Sequence, residues 1–239
     1  MQRRTFVTGA AATLAAPMIK AQTLPAGPVR IIVGFPPGGG TDVLARIVGQ
    51  KLQTMWNTTV VIENKAGATG VIAADFVAKA PNDGNTLLMA HINSHAIAPG
   101  LVPKLGYVVE RDFTPLSLVG FTPNLLIANL NQPAKTVKEL VEHCKKNPGK
   151  VSFGSAGQGS AQHLAMEMFK LAAGVDALHV PYKGSGPMLT DLMGGQIQYS
   201  FDTMTAATPH VKSGKVMAIA QTRAKRAKGH PTVPTMAES

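Results

Sequence analysis

Apolar positions along the chain fall into short β-branched runs alternating with longer stretches of helical period. Val29 to Phe35 is a largely apolar run of strand length. Behind it Val43, Leu44, Ile47, Val48, Leu52 and Met55 recur at i, i+3 and i+4, which predicts a helix. A β-branched strand from Thr59 to Glu63 and a helix to about Ala80 follow; Pro81-Asn82-Asp83-Gly84 marks a turn, and Thr86 to Ala90 is a third apolar strand. Strands and helices alternating at this spacing predict a parallel sheet with crossover helices. The pattern loosens through Pro99, Pro103 and Pro115, then resumes with strands near Leu116 to Gly120 and Leu125 to Ala128. Thr136-Val137-Lys138-Glu139 has the spacing of a capping box, and Pro148-Gly149 ends the helix it opens. A strand from Val151 to Gly154, a helix carrying His163, Leu164, Met168 and Leu171, a strand to Val180, a helix to Met193 and a strand from Ile197 to Phe201 make a second α/β unit.

Each unit carries a glycine loop between a strand and a helix near its start. The first is Gly38-Gly39-Gly40-Thr41-Asp42; the second is Ser155-Ala156-Gly157-Gln158-Gly159-Ser160. Glycines let the backbone approach a guest closely, and the first N–H groups of the following helix favour an anion. Thr41 or Asp42 is placed to cap the first helix. Neither nucleotide motif fits: a phosphate loop needs Lys and Ser/Thr after its second glycine, and a dinucleotide loop starting at Gly38 needs glycine where Val43 stands. A tight turn with no ligand would use the same residues. Ligands of open α/β sheets sit beyond the carboxyl ends of strands, so two such ends facing each other would form a cleft.

Composition narrows the class. Residues 1–21, with Arg3-Arg4, a small-apolar stretch and Ala21 before Gln22, read as a signal peptide of twin-arginine or general secretory type. The apolar run is too short to span a membrane, so an exported, soluble protein is expected. Without Arg3, Arg4 and Lys20 the net charge is +7 rather than +10. Aromatic residues are few, at 5%, and the one dense basic cluster is Arg223, Lys225, Arg226 and Lys228, which reads as a solvated surface and not as a nucleic-acid site. The single cysteine, Cys144, excludes an internal disulfide.

Catalytic and metal readings find little support. His91 and His95 have the spacing of a zinc helix, but Ile92 stands where the motif needs glutamate, so no metal and no cofactor are expected. Neither Ser155 nor Ser160 sits in Gly-x-Ser-x-Gly, because positions 153 and 158 are Phe153 and Gln158. His163 could face an anion or pack. Asp202, at a strand end beside Thr203, could accept from a ligand amine or hydroxyl, or cap the next helix.

The stretches Gly34 to Asp42, Val61 to Ala68, Pro81 to Leu87, His179 to Gly184 and Pro231 to Glu238 resemble the Bug family, the solute-binding proteins of tripartite tricarboxylate transporters. The resemblance implies a periplasmic Venus-flytrap protein, a two-domain periplasmic-binding-protein fold similar to type II, that closes on a small carboxylate. That ligand would be an organic acid or an acidic amino acid, delivered to a transporter of one large and one small membrane subunit or to a sensor kinase. It implies a monomer with a first domain over 22–124, a second over 125–221, and the start of a crossover back over 222–239. The carboxylate loops would be Gly38, Gly39, Gly40, Thr41 and Asp42 in the first domain and Ser155, Ala156, Gly157, Gly159 and Ser160 in the second, with His163 beside the latter. Asp202 and Thr203 fall where the family adds selectivity. His91-Ile92-Asn93-Ser94 replaces a smaller glycine-containing loop. Family members continue past the Pro-Thr-x-x-Glu motif, so the final segment of the first domain is expected to be missing here. A small-molecule hydrolase using Ser155 or Ser160 is the competing class.

Overall fold

A computed structural model describes residues 27–239. The expected signal peptide lies outside them. β1 (Val29–Val33) leads to α1 (Gly40–Trp56), β2 (Val60–Asn64), a 3-10 turn at Ala68–Gly70, α2 (Val71–Ala78) and β3 (Thr86–Met89). The three strands pair in parallel in the order β2-β1-β3. β1 is central and buried at Val29, Ile31, Ile32 and Val33, which explains why it reads as a run and not as an alternation. Its exit is cramped: a Cβ on Gly34 would come 2.6 Å from the Cα of Gly70, so only glycine fits there.

A π-turn at Asn93–Ile97 and two short helices, α3 (Ala98–Leu101) and α4 (Val109–Asp112), carry the chain away from this sheet. The strand expected near Leu116 to Gly120 does not form: these residues have no ladder partner among the described residues, and Leu116, Leu118 and Phe121 are exposed. β-branched pattern alone does not make a strand without a neighbour to pair with.

The chain then runs through β4 (Asn124–Ala128), α5 (Val137–Lys146), β5 (Ser152–Ser155), α6 (Ala161–Ala173), β6 (Leu178–Pro181), α7 (Ser185–Met193), β7 (Tyr199–Thr203), α8 (Met204–Lys212) and β8 (Met217–Gln221). The capping box at Thr136 and Glu139 forms as expected. The second sheet has the order β6-β5-β7-β4-β8, with β4 antiparallel to both its neighbours. Alternate residues of β4 face opposite sides. Leu126 and Ala128 pack with Phe153, Tyr199, Phe201 and Cys144. Leu125 and Ile127 pack with Met188, Leu192 and Ile197. Burial pushes the Cys144 thiol up to about 11, so it is an inert core residue.

Residues 222–239 lie along β8. Gln221 Nε2 donates to the carbonyls of His230 and Val233, and Thr235 bridges Gln221. No helix among the described residues is long and apolar enough to cross a membrane.

Candidate functional site

The strands β1, β3, β5 and β7 all deliver their carboxyl ends to the junction of the two sheets, where open α/β folds place ligands. From the first, Gly39 stands at the N-cap of α1 and no side chain caps that helix. The first helical bond runs from Val43 N–H to Gly39 O at 3.0 Å, so the N–H groups of Gly40, Thr41 and Asp42 have no helical acceptor. Capping by Thr41 or Asp42 is thus corrected. Asp42 instead turns back under the loop: it accepts from Gly38 N–H at 3.0 Å, from Arg46 Nε and Nη2 at 2.9 Å each, and from Asn64 Nδ2 at 2.9 Å. Burial alone would raise this carboxyl; the hydrogen bonds from Arg46, Gly38 and Asn64 hold it below its usual value. Asp42 shapes the loop and keeps both oxygens engaged with the protein.

The second loop is similarly self-bonded. Ser155 Oγ donates to Gly157 O and accepts from Gly157 N–H, both at 3.1 Å, and lies 2.6 Å from His179 Nε2. Gly159 N–H donates to His163 Nδ1 at 3.2 Å. Ser160 Oγ caps α6 by accepting from His163 N–H at 3.2 Å. Ala156 is buried beside them. Fully buried and committed to its own turn, Ser155 presents no nucleophile, and Ser160 is occupied as a cap.

Contacts between the halves join these loops. A Cβ on Gly40 would stand 2.8 Å from Thr203 Oγ1 and 3.1 Å from Thr205 Cβ; one on Gly157 would stand 3.0 Å from Thr69 Cγ2. Asn93 Oδ1 reaches across to accept from Ala161 N–H at 3.0 Å. Around this bridge four buried polar atoms have no hydrogen-bond partner among the described residues: Asn93 Nδ2, Gln162 Oε1, Asp202 Oδ2 and Thr203 Oγ1. The other Asp202 oxygen accepts from Ser185 Oγ at 2.5 Å and from Thr203 N–H at 2.8 Å. Complete burial pushes Asp202 up to about 6, against the opposing pull of Ser185, Thr203 and the Gln162 amide. So Asp202 is a strand residue facing a polar interior, and α8 takes Thr203 as its N-cap.

Beside this cluster opens a cavity of about 660 Å³. Thr203 lines it, together with His91 and Ile92 after β3 and Arg223 after β8, which the sequence reading set aside, and Gln162 on α6 and Phe121 before β4, which it did not single out. None of the loop residues Gly38 to Asp42 and Ser155 to Ser160 lines it. Gln162 had a sequence signal, since it is the second helical residue after the Ser160 cap. Arg223 had none, because it sits among other basic residues.

Comparison with known proteins gives the family and the fold. Residues 44–239 match the tripartite tricarboxylate transporter family receptor, TctC. Protein BugT of Bordetella pertussis is 41% identical over 230 residues, covering 96% of this chain and 70% of BugT. Among solved structures, the periplasmic binding protein BugD superposes with a TM-score of 0.83 at 39% identity, over 90% of this chain and 72% of BugD. MatC from Rhodopseudomonas palustris with bound malate gives a TM-score of 0.84 at 34% identity, over 90% of this chain and 73% of MatC. The fold is therefore the α/β periplasmic-binding-protein fold. Solute capture rather than catalysis is the business of these relatives, which removes the hydrolase alternative. The chain belongs to the tripartite tricarboxylate transporter family of receptors.

Proposed function

We propose that this protein captures a small carboxylate between its two sheets in the periplasm and delivers it to a tripartite transporter. One observation carries the reading: donors (Asn93 Nδ2, Thr203 Oγ1) and acceptors (Gln162 Oε1, Asp202 Oδ2) are buried together without partners among the described residues. Leaving a buried polar group unpaired costs roughly 1–3 kcal/mol each, and proteins retain such groups where a guest satisfies them. The donors, with the α1 N–H groups beside Thr203, suit a carboxylate. The acceptors suit a hydroxyl or ammonium on the same guest, as malate bound to MatC carries a hydroxyl. An aliphatic acid without such a group would leave Asp202 unmatched, and Asp202 then acts as a selector.

Calorimetric titration with a panel of organic and amino acids tests this. Saturable binding of at least one hydroxy or amino acid, stronger than binding of its unsubstituted analogue, is expected. Failure of every acid to bind would overturn the reading. Transport is tested separately, by co-purification with membrane subunits in the presence of the acid that binds.

A further inference from the structure

Helix α6 begins with N–H groups that its own first turn cannot satisfy. Ser160, at the N-cap, takes the N–H of His163. The N–H of Ala161 goes elsewhere: it donates at 3.0 Å to Oδ1 of Asn93, 68 positions earlier and in the other half of the protein. Asn93 therefore caps α6 from across the junction.

The direction of that side chain is fixed twice over. Its backbone is pinned where the chain leaves the first sheet: Asn93 N–H donates to His91 Nδ1 at 3.2 Å, and the carbonyl of Ser94 accepts from the Tyr107 hydroxyl at 2.6 Å. A side-chain amide is planar, so holding Oδ1 on Ala161 also sets where Nδ2 points. Asn93 is 1% exposed, and its Nδ2 has no partner among the described residues. Gln162, next to Ala161 on the same helix end, is likewise buried with Oε1 unpaired. Asn93 is thus committed at one end of its amide and unmatched at the other. Parting the halves would release both ends to water together, so the Nδ2 donor stands in place only while α6 is capped.

We propose that Asn93 couples the joining of the two halves to capture of the guest: its carbonyl oxygen caps α6 in trans, and its Nδ2 group, aimed by that bond, donates to the guest's carboxylate. This rests on the carboxylate reading above and assigns the residue that makes joining and capture one event. By linkage, a guest that uses Nδ2 tightens the bond to Ala161, and loss of that bond weakens the guest.

Amide exchange at Ala161, followed by NMR, and calorimetric titration with lactate, malate, glutamate and whichever acid of the wider panel binds tightest decide it. In the unaltered protein saturating acid should slow exchange at Ala161 by at least about tenfold. Asn93→Asp keeps an oxygen for Ala161 N–H and turns the donor into a second acceptor. Ala161 should then stay protected while acid affinity falls by at least about tenfold. Asn93→Ala removes both ends, so Ala161 should lose its protection and acid affinity should fall as well. Exchange at Leu126, in β4, should be unchanged in both variants, which shows that the fold persists. Full acid affinity in Asn93→Asp, or equal Ala161 exchange in Asn93→Ala and the parent at saturating acid, would overturn the proposal while leaving the carboxylate reading intact. If no acid bound the unaltered protein, the carboxylate reading would fall first and this one with it.

Discussion

The imidazole rings of His163 and His179 lie face to face, centroids 4.0 Å apart and planes 18° from parallel. Both are held below the usual histidine value, chiefly by burial, and His179 falls to about 4 with the neighbouring His163 as a second cause. Protonating either ring puts a charge against the other, and a proton on His163 Nδ1 would expel the Gly159 N–H that now donates to it. A base whose folded pKa is depressed contributes stability that is fully present above its unfolded value and declines as pH falls toward the folded one. Stability is therefore expected to drop between about pH 6.5 and pH 4. His91, also at about 4, adds to the same window. Urea denaturation at stepped pH should show a shallower decline in His163→Gln, with the buried His179 and His91 supplying what remains.

Asp202 titrates in the opposite sense. Its folded value lies above its unfolded one, so the folded state resists its ionisation and loses stability as pH rises from about 4 to 6. The two-unit rise corresponds to about 3 kcal/mol at neutral pH. Asp202→Asn keeps an oxygen for Ser185 and Thr203 and removes the charge that burial penalises. The variant should be more stable than the parent at pH 7, by an amount that vanishes near pH 4, and its ranking of acids should change. Thermal melts and titration calorimetry would check the two halves of that expectation.

Gly40 lies against Thr203 and Thr205, so a side chain there meets the other half of the protein before it meets a guest. Gly40→Ala, at the first residue of α1, holds the two halves apart. Circular dichroism should report a native fold, and acid binding should fall by at least about tenfold. Unchanged affinity would show that closure at this point is unnecessary.

Asp42→Ala would strand Gly38 N–H and Asn64 Nδ2 and release Arg46. Breaking a buried ion pair costs roughly 3–5 kcal/mol; Arg46 is half exposed, so a loss of about 2–3 kcal/mol is expected. Asp42→Asn should recover part of it. Chemical denaturation measures both.

The strand-and-helix framework of each half was legible because β1 and β4 are short, apolar and bounded by turn residues, and because α1 and α6 have clear apolar faces; that β4 runs antiparallel to both its neighbours was not. The glycine loops were legible as loops. Their internal hydrogen bonding was not, since nothing in Gly38 to Asp42 says that the carboxylate folds back to bond Gly38 instead of capping the helix. Asn93, Gln162 and Arg223 reach the site through tertiary packing, and a residue's neighbours across 68 positions, as for Asn93 and Ala161, leave no local periodicity. The strand expected at Leu116 to Gly120 shows the converse: the pattern is present and the pairing partner is not among the described residues.

The place of β4 in its sheet bears on how the second half comes to be folded. This strand is made first, and all five of its residues are buried, yet both of its neighbours come from far later in the chain. Asn124 waits 98 positions for Thr222. The entropy of closing so long a loop grows only slowly with length, but it must be met before any pairing rewards it. Until β7 and β8 have emerged, the Leu125–Ala128 segment is an unsheltered sticky stretch, and β8, the last-made strand of this sheet, acts as the clasp that commits the whole sheet at once. Assembly of this half should therefore be slow and all-or-none, and most open to aggregation in the interval before β8 arrives.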